Sequence, residues 1–430
     1  MSVRDASISG VLSAGIVNSD VLKHVVVVDA FGRDYSADLT KAVRNSGFEL
    51  VSYFTLDRSL DSELTRGGTS TGYRSVIDFV QSAQFGLVEV SGLVDTTSTA
   101  AIFSAQPSAR DQTHSELSNV AISAFPANNV SFDLGYRINL SGRINEYDSR
   151  ASQLYDGLFL SASSVNSPYA SLTNGGTYIG TAVLLSEGLK LRAGFSWLKP
   201  DTPWSEAPAS DSIERYFARS QLGSPAQRDA GAATLAMSWN FAEWGGIGIV
   251  GSDTIEQNGV LGGTATGALN FARQAETIAV DSSVRVRISD SWLATISYGE
   301  GTTNLSIQPG SLLSSATALH SQSYGLALGT GDIFGDDAFG FAVSRPMYVS
   351  AGTGSYSVAT GVDPSGNLTI SQGRLDFAAR APETDFEIGY TKLLLNGRVS
   401  IQSNAAYQWD IGGQSSRNAL SALLRVKASL

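Results

Sequence analysis

The chain of 430 residues has no cysteine, three histidines and few charges, only 16% of its residues. Without cysteine there is no disulfide, no thiol nucleophile and no thiolate metal site. Its charge content lies well below the roughly 25% of an ordinary globular chain. Basic residues are the scarcer sign: 29 Lys and Arg stand against 40 Asp and Glu, a net charge of -11. That excludes a nucleic-acid surface, which needs clustered cations to displace counterions. Long apolar runs are also missing. The densest, Val25 to Val28, falls far short of the roughly 20 residues of a membrane helix. The N-terminus, MSVRDASISGVLSAGIVNSD, has no basic start followed by an apolar core and does not read as a signal peptide. What remains is a soluble protein or a membrane β-barrel, which announces itself by alternation rather than by continuous hydrophobicity.

What the chain does have is 44 glycines and an ordinary 42% of apolar residues, arranged with a period of two. Val130, Phe132, Leu134, Tyr136, Ile138 and Leu140 interleave with Ser131, Asp133, Gly135, Arg137 and Asn139. The pattern recurs at 189–197, 235–241, 284–288, 399–409 and 420–430. Such segments have the length of about ten residues that a tilted transmembrane strand requires. Some joins are tight, as at Ser289-Asp290-Ser291 and Asn396-Gly397; others are long and polar, as from Pro200 to Asp229. Short turns alternating with long loops are the mark of an outer-membrane barrel. Tyr136, Trp197, Trp239, Trp244, Trp292, Tyr298, Tyr407 and Trp409 are candidates for interfacial girdles.

A soluble sandwich also alternates, but its polar face meets solvent and carries many charges. Here that face is mainly Ser, Thr, Gly, Ala and Asn with scattered basic residues, which suits a barrel interior. The expected fold is all-β: an antiparallel up-and-down barrel of about twelve strands over 116–430, preceded by a small β-rich module over 1–115. Arg137, Arg192, Arg285, Arg287, Arg425 and Lys427 are the expected lumen-facing charges, and part of residues 91–128 is the segment expected inside the lumen.

No catalytic or cofactor motif emerges. His24 reads as a strand residue, and His114 and His320 as loop residues; none has a second His at ligand spacing. Gly68-Thr-Ser70 has neither the Asp nor the His motif of a serine hydrolase. Gly246, Gly248 and Gly251 match G-x-G-x-x-G as letters, but no helix follows to receive a pyrophosphate. Asp332, Asp336 and Asp337 around Gly335 read as an acidic turn rather than a Ca²⁺ site. No metal and no cofactor are expected.

Four stretches point to a family. Val26-Val-Val-Asp29-Ala-Phe-Gly32-Arg33-Asp34 resembles the segment after the peptidase domain in subtilisin-like autotransporter proteases of alphaproteobacteria, and Gly15-Ile-Val-Asn18 is similar to the end of that domain. Phe339-Gly-Phe-Ala-Val-Ser-Arg345-Pro346 resembles a recurring motif of their C-terminal β-domains. Glu383-Thr-Asp-Phe-Glu387-Ile-Gly-Tyr390 is similar to their penultimate hairpin. Two places depart from the pattern: the last residue is Leu430 rather than an aromatic, and Gly412-Gly413-Gln414 replaces a Gly-His pair. The resemblance implies a non-catalytic outer-membrane or cell-surface barrel that anchors or exports a passenger, with outer-membrane lipid and the barrel-assembly machinery as partners. The peptidase is not in this chain, so proteolysis is not implied. A self-associating soluble β protein and a small-solute porin are the other readings.

Overall fold

A computed structural model describes residues 7–8, 10–17, 19–28, 34–42, 53–58, 73–77, 83–85, 88–99, 112–136, 140, 144, 158–159, 167–199, 229–363, 365, 367–395 and 399–428. The alternating segments form the wall of a closed β-barrel. Its main strands are β1 (Val88–Thr99), β2 (Gln112–Ala127), β3 (Val130–Tyr136), β4 (Thr177–Ser186) and β5 (Leu189–Leu198). Then come β6 (Asp229–Ala242), β7 (Gly245–Gln257), β8 (Ala272–Arg287), β9 (Trp292–Ile307) and β10 (Leu319–Gly331). The last are β11 (Asp337–Ala351), β12 (Thr384–Leu394), β13 (Val399–Trp409) and β14 (Ala419–Ala428).

Each of these pairs antiparallel with the next in chain order, the up-and-down order read from the sequence. Twelve of them, β3 to β14, begin after Asn129. Residues 53–58 run parallel to β14 and residues 73–77 antiparallel to β1, closing the ring. β2 crosses the 115/116 boundary drawn from the sequence. The polar stretch before Asn129 is thus wall, and part of the lumen segment expected within 91–128 lies in β1 and β2.

The joins sort into two kinds, as expected. Residues 128–129, 187–188, 243–244, 288–291, 332–336 and 395–398 are short; 137–176, 199–228, 258–271, 308–318, 352–383 and 410–418 are long. Residues 396–397 and 200–228 lie outside the described residues. In the 332–336 turn, Asp332 and Asp336 take positive φ (59° and 49°) beside Gly335 (73°). Both carboxylate oxygens of Asp337 accept from the Phe334 N–H. The acidic run is therefore a turn with its own cap.

The histidines need correction. His24 ends a 3₁₀ turn (Val21–His24) instead of opening a strand. His114 lies in β2 and His320 in β10. An exposed polar residue on the outer rim of a strand looks like a loop residue in sequence, and His320 is one: its Nδ1 lies 3.3 Å from the Thr302 hydroxyl.

The N-terminal residues form a short helix α1 (Ser13–Val17), the 3₁₀ turn, and a hairpin of 25–28 with 34–37. Strand 7–8 pairs with 263–266 in the β7–β8 loop. Ile8, Leu12, Ile16, Leu22, Val25 and Leu39 join Leu269, Phe271, Leu313, Tyr356 and Phe377 of the long loops in one apolar core. The Phe271 and Phe377 rings lie 6.2 Å apart. Each such side chain contributes about 1.5–3 kcal/mol when fully buried. The N-terminal segment is therefore bound onto the long-loop end of the barrel.

Candidate functional site: the lumen and its mouth

The two faces of the wall are inverted relative to a soluble sandwich. Leu235 is 61% exposed on the outside, and Ile278 and Ile296 are each 58% exposed. On the inside, Thr234, Ser252, Thr254, Thr277, Thr303 and Ser321 are buried. Thr277 and Thr303 share a hydroxyl hydrogen bond of 2.9 Å. The alternation in β3 falls as read: Phe132, Leu134 and Tyr136 are exposed, whereas Asp133 and Gly135 are buried.

Aromatic side chains gather at two levels of the outer face. At the short-join end Phe241 makes edge contacts with Trp239 and Trp244 at 5.6 and 5.3 Å. Toward the long-loop end Phe195 lies 5.9 Å from Trp197, and Tyr298 pairs with Tyr324 across β9 and β10. Trp292 to Tyr298 spans six positions of β9, about 20 Å along the strand, which at the tilt of a barrel strand is about 15 Å of height and fits within the roughly 25 Å band of a membrane barrel.

The expected lumen charges divide as follows. Arg192 is buried on the inner face of β5. Arg285 and Arg287 alternate in phase with buried Asp281 and Ser283 on β8. Arg285 donates from Nη2 to Asn240 Oδ1 at 3.0 Å, across Gly246. Positions 425 and 427 alternate in phase with Ser421 and Leu423 in β14, but their side chains lie outside the described residues, as does Arg137. All five of these wall positions sit in the short-join half of the barrel.

The sequence reading counted only basic residues among the lumen-facing charges and left the carboxylates out. Asp133, Glu256, Asp281, Asp385 and Glu387 are all buried on the inner face, and their neighbours show why. Glu256 Oε1 accepts from the Gly262 N–H at 2.9 Å. Asp281 accepts from the Ser167 hydroxyl. Just before β12, Glu383 Oε2 accepts from the Gly412 N–H at 2.8 Å and Oε1 from Gln408 Nε2 at 2.9 Å. Burial pushes the Glu383 carboxyl above its ordinary range. Glu256, Asp281 and Glu383 therefore tie loops folded over or into the barrel. The only cue in the sequence was an acidic residue at an inner position of the alternation.

The segment between β3 and β4 enters the lumen, where the sequence reading had placed part of residues 91–128. Leu158 and Phe159 are buried against Ala327 and Ala342 of β10 and β11. Asn404 Nδ2 of β13 donates to the Leu158 carbonyl at 2.8 Å. The Tyr169 and Ser321 hydroxyls lie 2.9 Å apart, and the Thr173 and Ser196 hydroxyls 2.7 Å. Glycines make the seats. A Cβ on Gly389 would overlap the Leu158 carbonyl, and one on Gly340 would press on Leu158 and Phe159. A Cβ on Gly301 would strike the Tyr169 ring, and one on Gly299 would overlap the Asp281 carboxylate and the Ser323 hydroxyl and press on that ring. Tyr169 and Leu172 also belong to the apolar core formed with residues 8–39, so the lumen segment and the mouth cover are continuous.

Of the family-motif residues, Glu387 is buried on the inner face. Tyr390 donates its hydroxyl to Asp337 Oδ2 at 2.9 Å. Arg345 and Pro346 lie where the β10–β11 register shifts. Asp34 opens strand 34–37, and Asp29, Gly32 and Arg33 lie outside the described residues. Gly246, Gly248 and Gly251 all lie in β7, and Gly68 and Ser70 are outside the described residues. No group of three or more His, Asp or Glu suited to a metal ion occurs among the described residues.

No protein-family description matches this chain, and no curated protein does. Solved barrels do. A loop-deletion variant of OmpT, an outer membrane protein of Vibrio cholerae, aligns at 10% identity with a TM-score of 0.43, over 78% of this chain and 85% of that one. The anion-selective porin from Comamonas acidovorans aligns at 11% identity and TM-score 0.39, over 82% and 84%. The outer membrane protein OprD from Pseudomonas aeruginosa aligns at 12% and 0.33, over 80% and 70%.

Proposed function

We propose that this chain is an outer-membrane β-barrel of a Gram-negative bacterium whose lumen is a narrowed passage for small polar solutes. The observation that carries this reading is the inversion of the two faces, apolar outside and Ser, Thr and carboxylates inside. Lipid demands a closed ring with every backbone group paired and an apolar exterior. Residues 158–159 and 167–176 narrow the lumen by sitting on its wall. They belong to an internal loop, so no terminal passenger segment is needed to fill it. The role is physical rather than catalytic. The test is reconstitution into planar bilayers: discrete, stable conductance steps are expected, and a chain that stays soluble without detergent and conducts nothing refutes the reading.

A second reading is the anchoring role implied by the family resemblance. It is favoured by one observation: the described N-terminal residues, Ile8 to Leu39 among them, are seated on the long-loop end, the outer side in barrels of this kind. A domain fused before residue 7 would then be displayed outside. Protease shaving of intact cells carrying such a fusion separates the two roles. Assembly by the barrel machinery and lateral self-association are compatible with either.

A further inference from the structure

Arg345 is a cation on the outer face of the wall, where the membrane reading puts lipid. In β11 it alternates with the buried, inward Gly340, Ala342 and Ser344 and in phase with exposed Phe341. Its guanidinium carbon lies 5.1 Å from the Tyr324 ring centre and 5.9 Å from that of Tyr348. Nη2 donates to the Thr384 hydroxyl at 3.3 Å. Nε has no acceptor, and among the described residues Arg345 forms no ion pair.

Its depth is fixed by its neighbours. On the short-join side the outer face is apolar, with Ile296, Leu326, Phe341 and Ile388 exposed. On the long-loop side it turns polar: Tyr298 donates to Glu300 Oε2 at 3.1 Å, Tyr348 to Gln322 Oε1 at 3.2 Å, and exposed His320 meets Thr302. Arg345 thus stands at the border between the two zones, ringed by Tyr324, Tyr348 and, next to Tyr324, Tyr298.

We propose that Arg345, in this tyrosine frame, binds the phosphate of a membrane-lipid headgroup. A guanidinium offers a planar fork that matches phosphate oxygens. Its rings exclude water from one side, which strengthens a charge pair, and the headgroup layer is where anionic lipid phosphates lie. The apolar residues below it would take the acyl chains. The proposal rests on the outer-membrane reading.

The test uses the full chain in non-ionic detergent and native mass spectrometry. The probes are dioleoyl phosphatidylglycerol, dioleoylglycerol with the same tails and no phosphate, and inorganic phosphate. Wild type is expected to retain phosphatidylglycerol about fivefold more strongly than Arg345→Gln, with dioleoylglycerol retained equally by both. Arg345→Lys, which keeps the charge but not the fork, is expected to fall between them. Equal phosphatidylglycerol retention by wild type and Arg345→Gln overturns the site. Displacement of the lipid by millimolar inorganic phosphate overturns the lipid as its source and leaves a free-anion site. Heat-modifiable gel mobility confirms that each variant is folded. Insertion into phosphatidylglycerol vesicles is measured in parallel: failure to insert sinks the membrane reading, whereas insertion with no difference between variants sinks only the Arg345 site.

Discussion

Asn404 on β13 holds the backbone of Leu158, 246 positions away, by a side-chain hydrogen bond of 2.8 Å inside the barrel. This one contact fixes where the β3–β4 segment lies against the far wall. Asn404→Ala leaves the buried Leu158 carbonyl without its donor, a cost of about 1–3 kcal/mol. The expected outcome is a looser lumen segment: noisier and larger single-channel conductance in planar bilayers, with the barrel itself still resistant to gel denaturation.

Gly389→Val attacks the same seat sterically. The new side chain would occupy the position of the Leu158 carbonyl, and overpacking in a filled site costs typically 1–3 kcal/mol. Protease cleavage within 145–166 of the folded protein is expected to speed up severalfold relative to wild type. An unchanged cleavage rate would mean that the segment does not rest there.

The outer face can be tested against the inner. Ile296→Arg puts a cation at the middle of the apolar band, where it costs about 2–4 kcal/mol. Ser297→Arg, one residue on, points into the polar lumen and is expected to cost less than half of that. Urea unfolding from lipid vesicles measures both, and equal costs would contradict the assigned faces.

Glu383 gives a pH dependence. Burial raises its carboxyl pKa in the folded chain above the ordinary value of 4.5, so the folded state holds its proton more tightly than the unfolded state. Its contribution is fully present below about pH 4.5 and is lost as pH rises through the raised value. Hydrogen exchange in residues 410–414, which include the Gly412 N–H it accepts, is therefore expected to speed up over that window by more than the intrinsic base catalysis of exchange. Glu383→Gln should abolish the excess.

Much of the wall was legible because a period of two survives in the letters. The alternation at Val130–Tyr136 and Leu189–Trp197, and the tight join at 289–291, mark strands and faces directly. The lumen contents were not, because nothing local marks Leu158 or Tyr169 as inward; their partners lie on strands far along the chain. The carboxylates were passed over for the same reason: Glu256 and Asp281 look like ordinary strand charges until the Gly262 amide and the Ser167 hydroxyl arrive from loops. β1 and the start of β2 lie in a polar stretch without a clear period of two, and so were assigned to the N-terminal β-rich module and the lumen segment. The glycines were counted but not understood. At Gly301, Gly340 and Gly389 their role is the absence of a side chain where another segment must pass.

The lumen segment also constrains the order of events in folding. Its anchors join Ser167 to Asp281, Tyr169 to Ser321 and Leu158 to Asn404, over 114, 152 and 246 positions. Contacts so remote in sequence form late, after costly chain closure. Yet a closed ring admits no bulky loop from the side. The lumen segment, tethered at the long-loop rim, therefore enters through the mouth, and its contact with Asn404 forms only once β13 has joined the wall.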